Sequence, residues 1–368
     1  MKHSHSSVNK FTECAMAYDL HYNKKYRPKY HSSALLFGSA IDKAVEEYLK
    51  TKNKEVARRV FKEMWEEQDI NKVKTQLATC TNIVYANNDF DIELLSLQDI
   101  QMLMKDFNIE NVSQELDAIY KQKDVIGFNK LKKEKKQLLN AANWLCLRRK
   151  GLLMLKEAIR VIDENIEEVL GTQVKVNLSN DNGDEVIGYA DAVVRLKGQP
   201  KPVVIDFKTA TRPYEDDSVL TSHQLALYIH DLSDKYEDTR SAGYIVLSKI
   251  IRKNKKKICT KCGFDGSGSN HKTCNNVIND ERCHGTYDIE LDPQASSQVI
   301  LGEIPFRLED IVIENMDNVN QAITYGIKIR NLQACKKPWG LCPYFKYCHQ
   351  DSMEDIVDMN KVEEASDG

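Results

Sequence analysis

Asp206 and Lys208 stand two residues apart at the end of the run PVVIDFKT, and Asp191 precedes them in GYAD. On an extended strand residues i and i+2 share a face, so the Asp206 and Lys208 side chains emerge together. The run before them is almost continuously apolar, as in a strand buried on both faces, and it turns polar where such a strand opens on a site. The link back to the strand carrying Asp191 is short, which lets the second carboxylate approach the first. Two carboxylates converging in a cleft are hard oxygen ligands suited to Mg²⁺ or Mn²⁺. A lysine beside them can position an attacking water or offset the negative charge that builds on a phosphate. Metal-assisted phosphodiester hydrolysis needs that combination. D-x-K alone, a pattern common by chance, reads first as a salt-bridged pair at a strand end.

The ten cysteines form a second source of chemistry. In a reducing compartment such residues bind metal more often than they form disulfides. Cys259-x2-Cys262-x11-Cys274-x8-Cys283 places four soft ligands in a segment of Gly, Ser and Asn that holds little from which to build a core. A unit of this kind is held together by its metal, and four protein ligands leave no open position, so the spacing predicts a structural Zn²⁺. The second half is not C-x2-C, so His271 and His284 are alternative ligands; the four cysteines are the expected set. Cys335-x6-Cys342-x5-Cys348 lies among Trp339, Tyr344, Phe345 and Tyr347, and Cys14 stands alone near the start. Those four either hold a metal group or help pack an aromatic cap. Cys80 and Cys146 read as small buried side chains.

The elements that must position these residues follow from hydrophobic spacing. LLFGSAIDKAVEEYLK predicts an amphipathic helix over about 36–50, and helical texture continues to about 170. TQVKVNL and Glu185 to Leu196 read as strands joined by the turn SNDNGD, followed by the PVVIDFKT strand. Residues 216–231 return to helical spacing, and Gln224 and Tyr228, four apart, share one helix face. GYIVLS is another buried strand. IRKNKKK precedes the cysteine segment and is either a solvated loop or a DNA contact. A strand near Tyr287 to Leu291, a helix from about Leu308 to Leu332 and a frayed acidic tail complete the chain.

At 368 residues, 29% charged and 42% hydrophobic, the composition is that of a soluble globular protein. No run of about 18 apolar residues suggests a membrane span. MKHSHSSVNKFTEC lacks an apolar signal core, which points to the cytoplasm. The net charge of −3 requires nucleic-acid binding, if any, to come from local clusters. KLKKEKK (Lys130 to Lys136) and the Arg148 to Lys150 stretch of LRRK are candidates for phosphate contacts, or plain solvated faces. There is no G-x4-G-K-[ST], so ATP-driven unwinding would need a partner.

The ordered set of Asp42 in GSAID, Gly188 to Asp191, Asp206–Phe207–Lys208, and Gln224 with Tyr228 in HQLALY resembles the PD-(D/E)XK nuclease superfamily. The resemblance is to its RecB-like branch, which includes CRISPR-associated adaptation exonucleases and phage exonucleases. It implies an α/β, restriction-endonuclease-like mixed sheet flanked by helices, here with a large helical region and a small zinc-ribbon insert. It also implies that Asp191, Asp206 and the Phe207 carbonyl hold Mg²⁺ or Mn²⁺. Lys208 would orient the water, and Gln224 and Tyr228 would brace the site or touch DNA. The RecB-like pattern has His where this chain has Asp42, which is then either a metal ligand or an exposed residue on the polar helix face. Several relatives join an N-terminal cysteine to three C-terminal ones through an iron–sulfur cluster, and Cys14, Cys335, Cys342 and Cys348 are similar, although x6 replaces a tighter C-x2-C.

The implied division is 1–50, the first part of the nuclease core; 51–170, helical; 171–254, the core sheet; 255–287, the zinc insert; 288–350, the C-terminal core and cysteine cap; and 351–368, an acidic tail. The implied function is a DNA exonuclease of recombination, repair or phage metabolism in a bacterial or phage-infected cell, acting on DNA ends, with a replication or recombination protein as a candidate partner. The alternative is a catalytically silent DNA-binding or scaffold module whose zinc ribbon docks partners. A replication or transcription accessory built on the ribbon would leave the carboxylates unexplained.

Overall fold

The computed structural model describes residues 2–65, 82–84, 92–126, 130–179, 185–278, 280–337 and 340–361. Cys80, the centre of the SNDNGD turn, Trp339 and the last seven residues lie outside these. The chain opens with a short strand, β1 (Lys2–Ser4), which the sequence did not announce, and helix α1 (His5–Glu13). Ser4 caps that helix: its hydroxyl accepts from the Ser7 N–H, and Ser7 returns the favour to the Ser4 N–H. Strand β2 (Tyr26–Pro28) precedes α2 (Ser33–Thr51). This is the helix expected over 36–50, and it buries Phe37, Ala40, Ile41, Ala44, Val45, Tyr48 and Leu49 along one face. Helices α3 (Lys54–Trp65), α4 (Leu97–Phe107), α5 (Val112–Ile126) and α6 (Lys133–Asn165) follow.

Strand β3 (Ile166–Ser179) begins five residues before the change of texture at Gly171, and β4 (Glu185–Leu196) and β5 (Val203–Ala210) follow it. The helix expected over 216–231 is split. A 3-10 turn occupies Asp216–Val219, and α7 (His223–Leu232) starts afresh because the Ser222 side chain accepts from Leu225 N–H as its cap. After β6 (Ser241–Ser248), the basic stretch is no loop: it is β7 (Arg252–Cys259), paired antiparallel with β8 (Tyr287–Gln294). Strand β9 (Ser297–Glu303) leads into α8 (Phe306–Thr324). That helix stops well short of Leu332, because Gly326 takes a left-handed φ of 66° and Ile327 N–H turns back to the Ala322 carbonyl. Helix α9 (Phe345–Gln350) and β10 (Ile356–Asp358) end the described chain. The first part of the acidic tail is therefore not frayed: β10 pairs with β2, Ile356 is buried, and Lys346 meets Asp355 at 2.9 Å.

The central sheet is mixed and has six strands, with β4 as its hub. β3 runs antiparallel along one edge of β4. The other edge is shared: β1 lies parallel to Glu185–Ile187, and β5 lies antiparallel to Ala192–Val194. Gly188 to Asp191 fall in the gap between them. Beyond β5 come β6, parallel, and β9, antiparallel. One face packs on α2, α3 and α6 through Phe37, Ile41, Phe61, Ile162, Val194 and Ile205. The other packs on α7 and α8 through Leu225, Ile229, Met316, Val193, Val204 and Val246. The first half of α6 joins α4 and α5 in a separate core that contains Cys146, buried as expected.

Candidate active site

The site lies where the sheet forks. Pairing of β5 with β4 stops at Ile205, so the backbone from Asp206 onward leaves β4. Asp191 closes the fork, its Oδ2 accepting from the Phe207 N–H at 2.8 Å. Val204 packs toward α7, and by strand alternation Asp206 and Lys208 face the same way. There Lys208 Nζ lies 2.5 Å from Asp206 Oδ2 and donates to Gln224 Oε1 at 3.1 Å. The Gln224 amide donates to Asp206 Oδ1 at 3.2 Å and to the Tyr228 hydroxyl at 2.6 Å. Gly188 makes this packing fit, since a Cβ there would stand 3.2 Å from the Tyr228 ring. The structure thus brings Asp191, Asp206, Lys208, Gln224 and Tyr228 together.

Asp42 arrives from α2 on the other side. It lines a narrow cleft with Val45, Glu46, Leu49, Gln173, Asp191 and Phe207. Its carboxyl is not on the solvent face of the helix: burial, reinforced by the charge of Asp191, pushes its pKa up to about 7. Burial and then the charge of Asp206 push Asp191 up to about 6. Burial likewise raises Asp206, only 2% exposed, against the pull of Lys208. Burial alone would lower the Lys208 pKa, but Asp206 and Asp191 hold it above that of an ordinary lysine. Asp42, Asp191 and Asp206 feel one another's charge beside one such lysine, although their oxygens are not drawn together as closely as the sulfurs of the four-cysteine group; a divalent cation would relieve that crowding of negative charge.

Sequence reasoning missed several neighbours. Gln173, cross-strand from Asp191, donates to Asp191 Oδ1 at 3.2 Å from a left-handed backbone with φ of 48°. Around this pair the alternation of β4 slips: Val186 and Ala190 face α7, whereas Ala192, Val194 and Leu196 face α2. Asp191 lies at this change of face, with its carboxylate on the Phe207 N–H. His5 follows β1 directly into the site region. Burial lowers its pKa to about 4, with Lys208 and then His223 adding to the effect. Tyr244, its hydroxyl 2.5 Å from Ser222 Oγ, places its ring 6.0 Å from Lys208 Nζ.

The two cysteine groups differ. Cys259, Cys262, Cys274 and Cys283 have all their sulfurs within 4.8 Å of one another, and no other such metal-ligand group occurs among the described residues. The Cys259–Cys283 and Cys262–Cys274 sulfur distances are both 3.6 Å. Tetrahedral thiolates at the usual Zn–S length stand ~3.8 Å apart, so the set fits one zinc ion. His271 and His284 lie outside the group. Gly285 leaves the room: a Cβ there would meet Cys259 Sγ at 2.5 Å.

Cys14, Cys335, Cys342 and Cys348 are drawn into one neighbourhood from opposite ends of the chain. Met16 N–H donates to the Ile329 carbonyl, Asn331 donates to the Glu13 carbonyl, and Cys342 N–H donates to the Cys335 carbonyl. Burial raises the Cys348 thiol pKa, and Cys342, Cys14 and Cys335 are near enough to add to it. These sulfurs do not crowd as those of Cys259, Cys262, Cys274 and Cys283 do. His349 Nε2 lies 3.5 Å from Cys335 Sγ.

Of the basic clusters, LRRK fully exposes only Arg149. Lys150 is 6% exposed, and Arg148 is paired with Asp99 at 2.7 Å. Lys130, Lys132 and Lys133 are exposed at the start of α6.

A family model described as the PD-(D/E)XK nuclease superfamily matches residues 2–87 and 108–349, and the chain belongs to that superfamily. Its members are typically metal-dependent nucleases, and the mixed sheet flanked by helices is the architecture expected of them. No curated protein matches the chain. Among solved structures, the crystal structure of SSO0001 aligns over 61% of this chain and 84% of its own, at 12% identity and a TM-score of 0.23. Among the described residues, no helix is long and apolar enough to cross a membrane.

Proposed function

We propose that the protein is a Mg²⁺- or Mn²⁺-dependent DNA nuclease of the RecB-like branch, working as an exonuclease in recombination, repair or phage DNA metabolism. The observation that carries this reading is the convergence of Asp42, Asp191 and Asp206 on one lysine at a fork in the sheet. The three carboxylates would hold the ion, joined by the Phe207 carbonyl. On a strand a residue's N–H and C=O share an edge, and the Phe207 N–H already points at Asp191. A divalent ion supplies an activated water and a counter-charge for the phosphate. Lys208, fixed by Asp206 and Gln224, orients the water and steadies the charge that develops on the phosphate. Gln224 ties that lysine, Asp206 and Tyr228 into one unit. The absence of a base-reading motif supports selection of ends or strandedness over sequence.

The zinc cysteines are structural in this reading. Cys14, Cys335, Cys342 and Cys348 would hold a [4Fe–4S] cluster that joins the two ends of the core; their wider spacing suits a multi-iron group better than a single ion.

The test is cleavage of end-labelled single- and double-stranded DNA with Mg²⁺, Mn²⁺ or EDTA, by wild type and Lys208→Ala. Metal-dependent cleavage that drops on the order of 10²–10³-fold in the variant is expected. A folded wild type inert on every substrate would sink the reading in favour of a silent DNA-binding or scaffold module.

A further inference from the structure

The β7–β8 ribbon has two chemically different faces. Its ladder runs from Arg252 opposite Gln294 to Cys259 opposite Tyr287, and directly opposed residues share a face. One face carries Arg252, Asn254 and Lys256 with Asp288, Glu290 and Asp292. Its charges neutralise one another, as in the 3.2 Å pair of Lys256 with Asp292. The other face carries Lys253, Lys255 and Lys257 opposite Pro293, Leu291 and Ile289, with no carboxylate in the ladder. Lys253 is held by Glu93 at 2.9 Å. Lys257 donates to a neutral carbonyl, that of Ser269, so its charge stays uncompensated. Lys255 is exposed and has no ion-pair partner among the described residues. Beside these lysines Ile289 is 63% and Leu291 38% exposed.

The ribbon's origin matters as much as its charge. It continues from β6, which lies parallel to β5 with Lys208 opposite Val246 and Ala210 opposite Ser248. Lys249 N–H then donates to the Ala210 carbonyl at 2.8 Å. The ribbon therefore leaves the sheet at the strand ends that carry Asp206 and Lys208. It extends roughly 24 Å before the zinc tip, from eight residues at strand rise.

We infer that the Lys255–Lys257 face of this ribbon is a track for the phosphate backbone of a nucleic acid entering or leaving the site. The inference rests on the nuclease reading and names the surface that would hold the substrate beyond the reacting bond. The two lysines repeat about every 7 Å along the strand, on the scale of successive phosphates in an extended chain. The apolar residues opposite them give sugars and base faces a dry surface. Contacts of this kind are independent of sequence and sensitive to salt.

The full-length, zinc-loaded protein would be titrated without added Mg²⁺ or Mn²⁺, which withholds the ion needed for cleavage, with a fluorescent oligonucleotide in single- and double-stranded form across a salt series. Lys255→Ala/Lys257→Ala should bind at least tenfold more weakly at low salt. Its log–log salt slope should flatten by about 1.8 for duplex, or about 1.4 for single strand, as two phosphate contacts are lost. Lys255→Arg/Lys257→Arg should retain binding, and Arg252→Ala/Lys256→Ala on the opposite face should stay within twofold of wild type. Equal zinc content and circular dichroism show that the variants are folded. Cleavage of long DNA and of bis(4-nitrophenyl) phosphate is measured in parallel. Unchanged affinity and slope in the double variant, in a protein that cleaves DNA, overturn the track and leave the nuclease standing. Weakened binding in a protein inert on every substrate supports the track and removes the nuclease.

Discussion

The carboxylate site and the four-cysteine tip both bring cation ligands together, but different means hold them in shape. At the tip, the buried centre consists of Cys259, Cys274 and Cys283, with Cys262 and Tyr287 packed against them. The cysteines are themselves the core of this tip, and a metal bound by them would hold it together. The carboxylates instead stand between two large hydrophobic cores, one under α2 and one under α7. Gln173 and the Phe207 N–H hold Asp191, and Gln224 and Lys208 hold Asp206. The cost of that preorganisation appears as carboxyl pKa values raised to about 7 and about 6. On the proposed reading, one site would be made by its metal and the other made for it.

Metal removal should break the two apart most visibly. Chelation of Mg²⁺ or Mn²⁺ should abolish cleavage reversibly and leave circular dichroism and protease resistance unchanged. Removal of zinc, or Cys283→Ser, should open the segment between Cys259 and Cys283 to protease while the main melting transition stays in place. Iron and acid-labile sulfide analysis during the same experiment examines the third group: on the proposed cluster reading, Cys348→Ser should lower the iron content and the main transition, since those cysteines join Cys14 to the chain's other end. A zinc-free protein that loses its main transition would mean that the tip and the sheet are one cooperative unit.

The same contrast explains what could be read ahead of the structure. D-x-K, G-x-x-D and Q-x-x-x-Y stood out because each places polar groups where an apolar strand or helix face should continue, a local pattern. The strand Lys2–Ser4 did not, because three residues carry no periodicity and its partner lies more than 180 residues away. Gln173 was equally invisible, since its role depends on cross-strand register with Asp191 and on a left-handed backbone. Lys150 was misread from charge alone. Ala142, Cys146 and Lys150 repeat at helical spacing and are all buried, and that spacing was the available signal. The two faces of IRKNKKK emerged only once its partner strand was known.

Two glycines give a finer comparison. Gly285→Ala would set a Cβ 2.5 Å from Cys259 Sγ and 3.4 Å from Cys283 Sγ. A bound thiolate cannot retreat without leaving the metal, so zinc affinity should fall at least tenfold. Gly188→Ala would set a Cβ 3.2 Å from the edge of the Tyr228 ring, which can yield by a few tenths of an ångström. Overpacking of that degree costs about 1 kcal/mol. Cleavage should fall severalfold as Tyr228 and Gln224 shift, with zinc content unaffected. Competition with a zinc chelator and melting curves measure the two effects. A Gly285→Ala protein that keeps wild-type zinc affinity would show that the tip has more slack than its sulfur distances imply.

The smallest expected effect lies in the response to pH, and its sign separates the two regions. Asp42 and Asp191 have folded pKa values raised above those of the unfolded chain. Between roughly pH 4 and 7 the metal-free folded state therefore holds more protons than the unfolded one, and stability falls as pH rises through that window. Below the unfolded carboxylate values the contribution is fully present, and above about pH 7 it is gone. The metal-free protein should thus melt a few degrees lower at pH 8 than at pH 5.5, allowing for opposing carboxylates elsewhere. Asp42→Asn, which cannot ionise, should flatten that dependence. A divalent ion binds the ionised carboxylates and reverses the trend, so its stabilisation should be larger at pH 8 than at pH 5.5. Scanning calorimetry with and without Mn²⁺ at the two pH values decides it. An Asp42→Asn protein with the wild-type pH dependence would place the titrating groups elsewhere and remove Asp42 from the cation site.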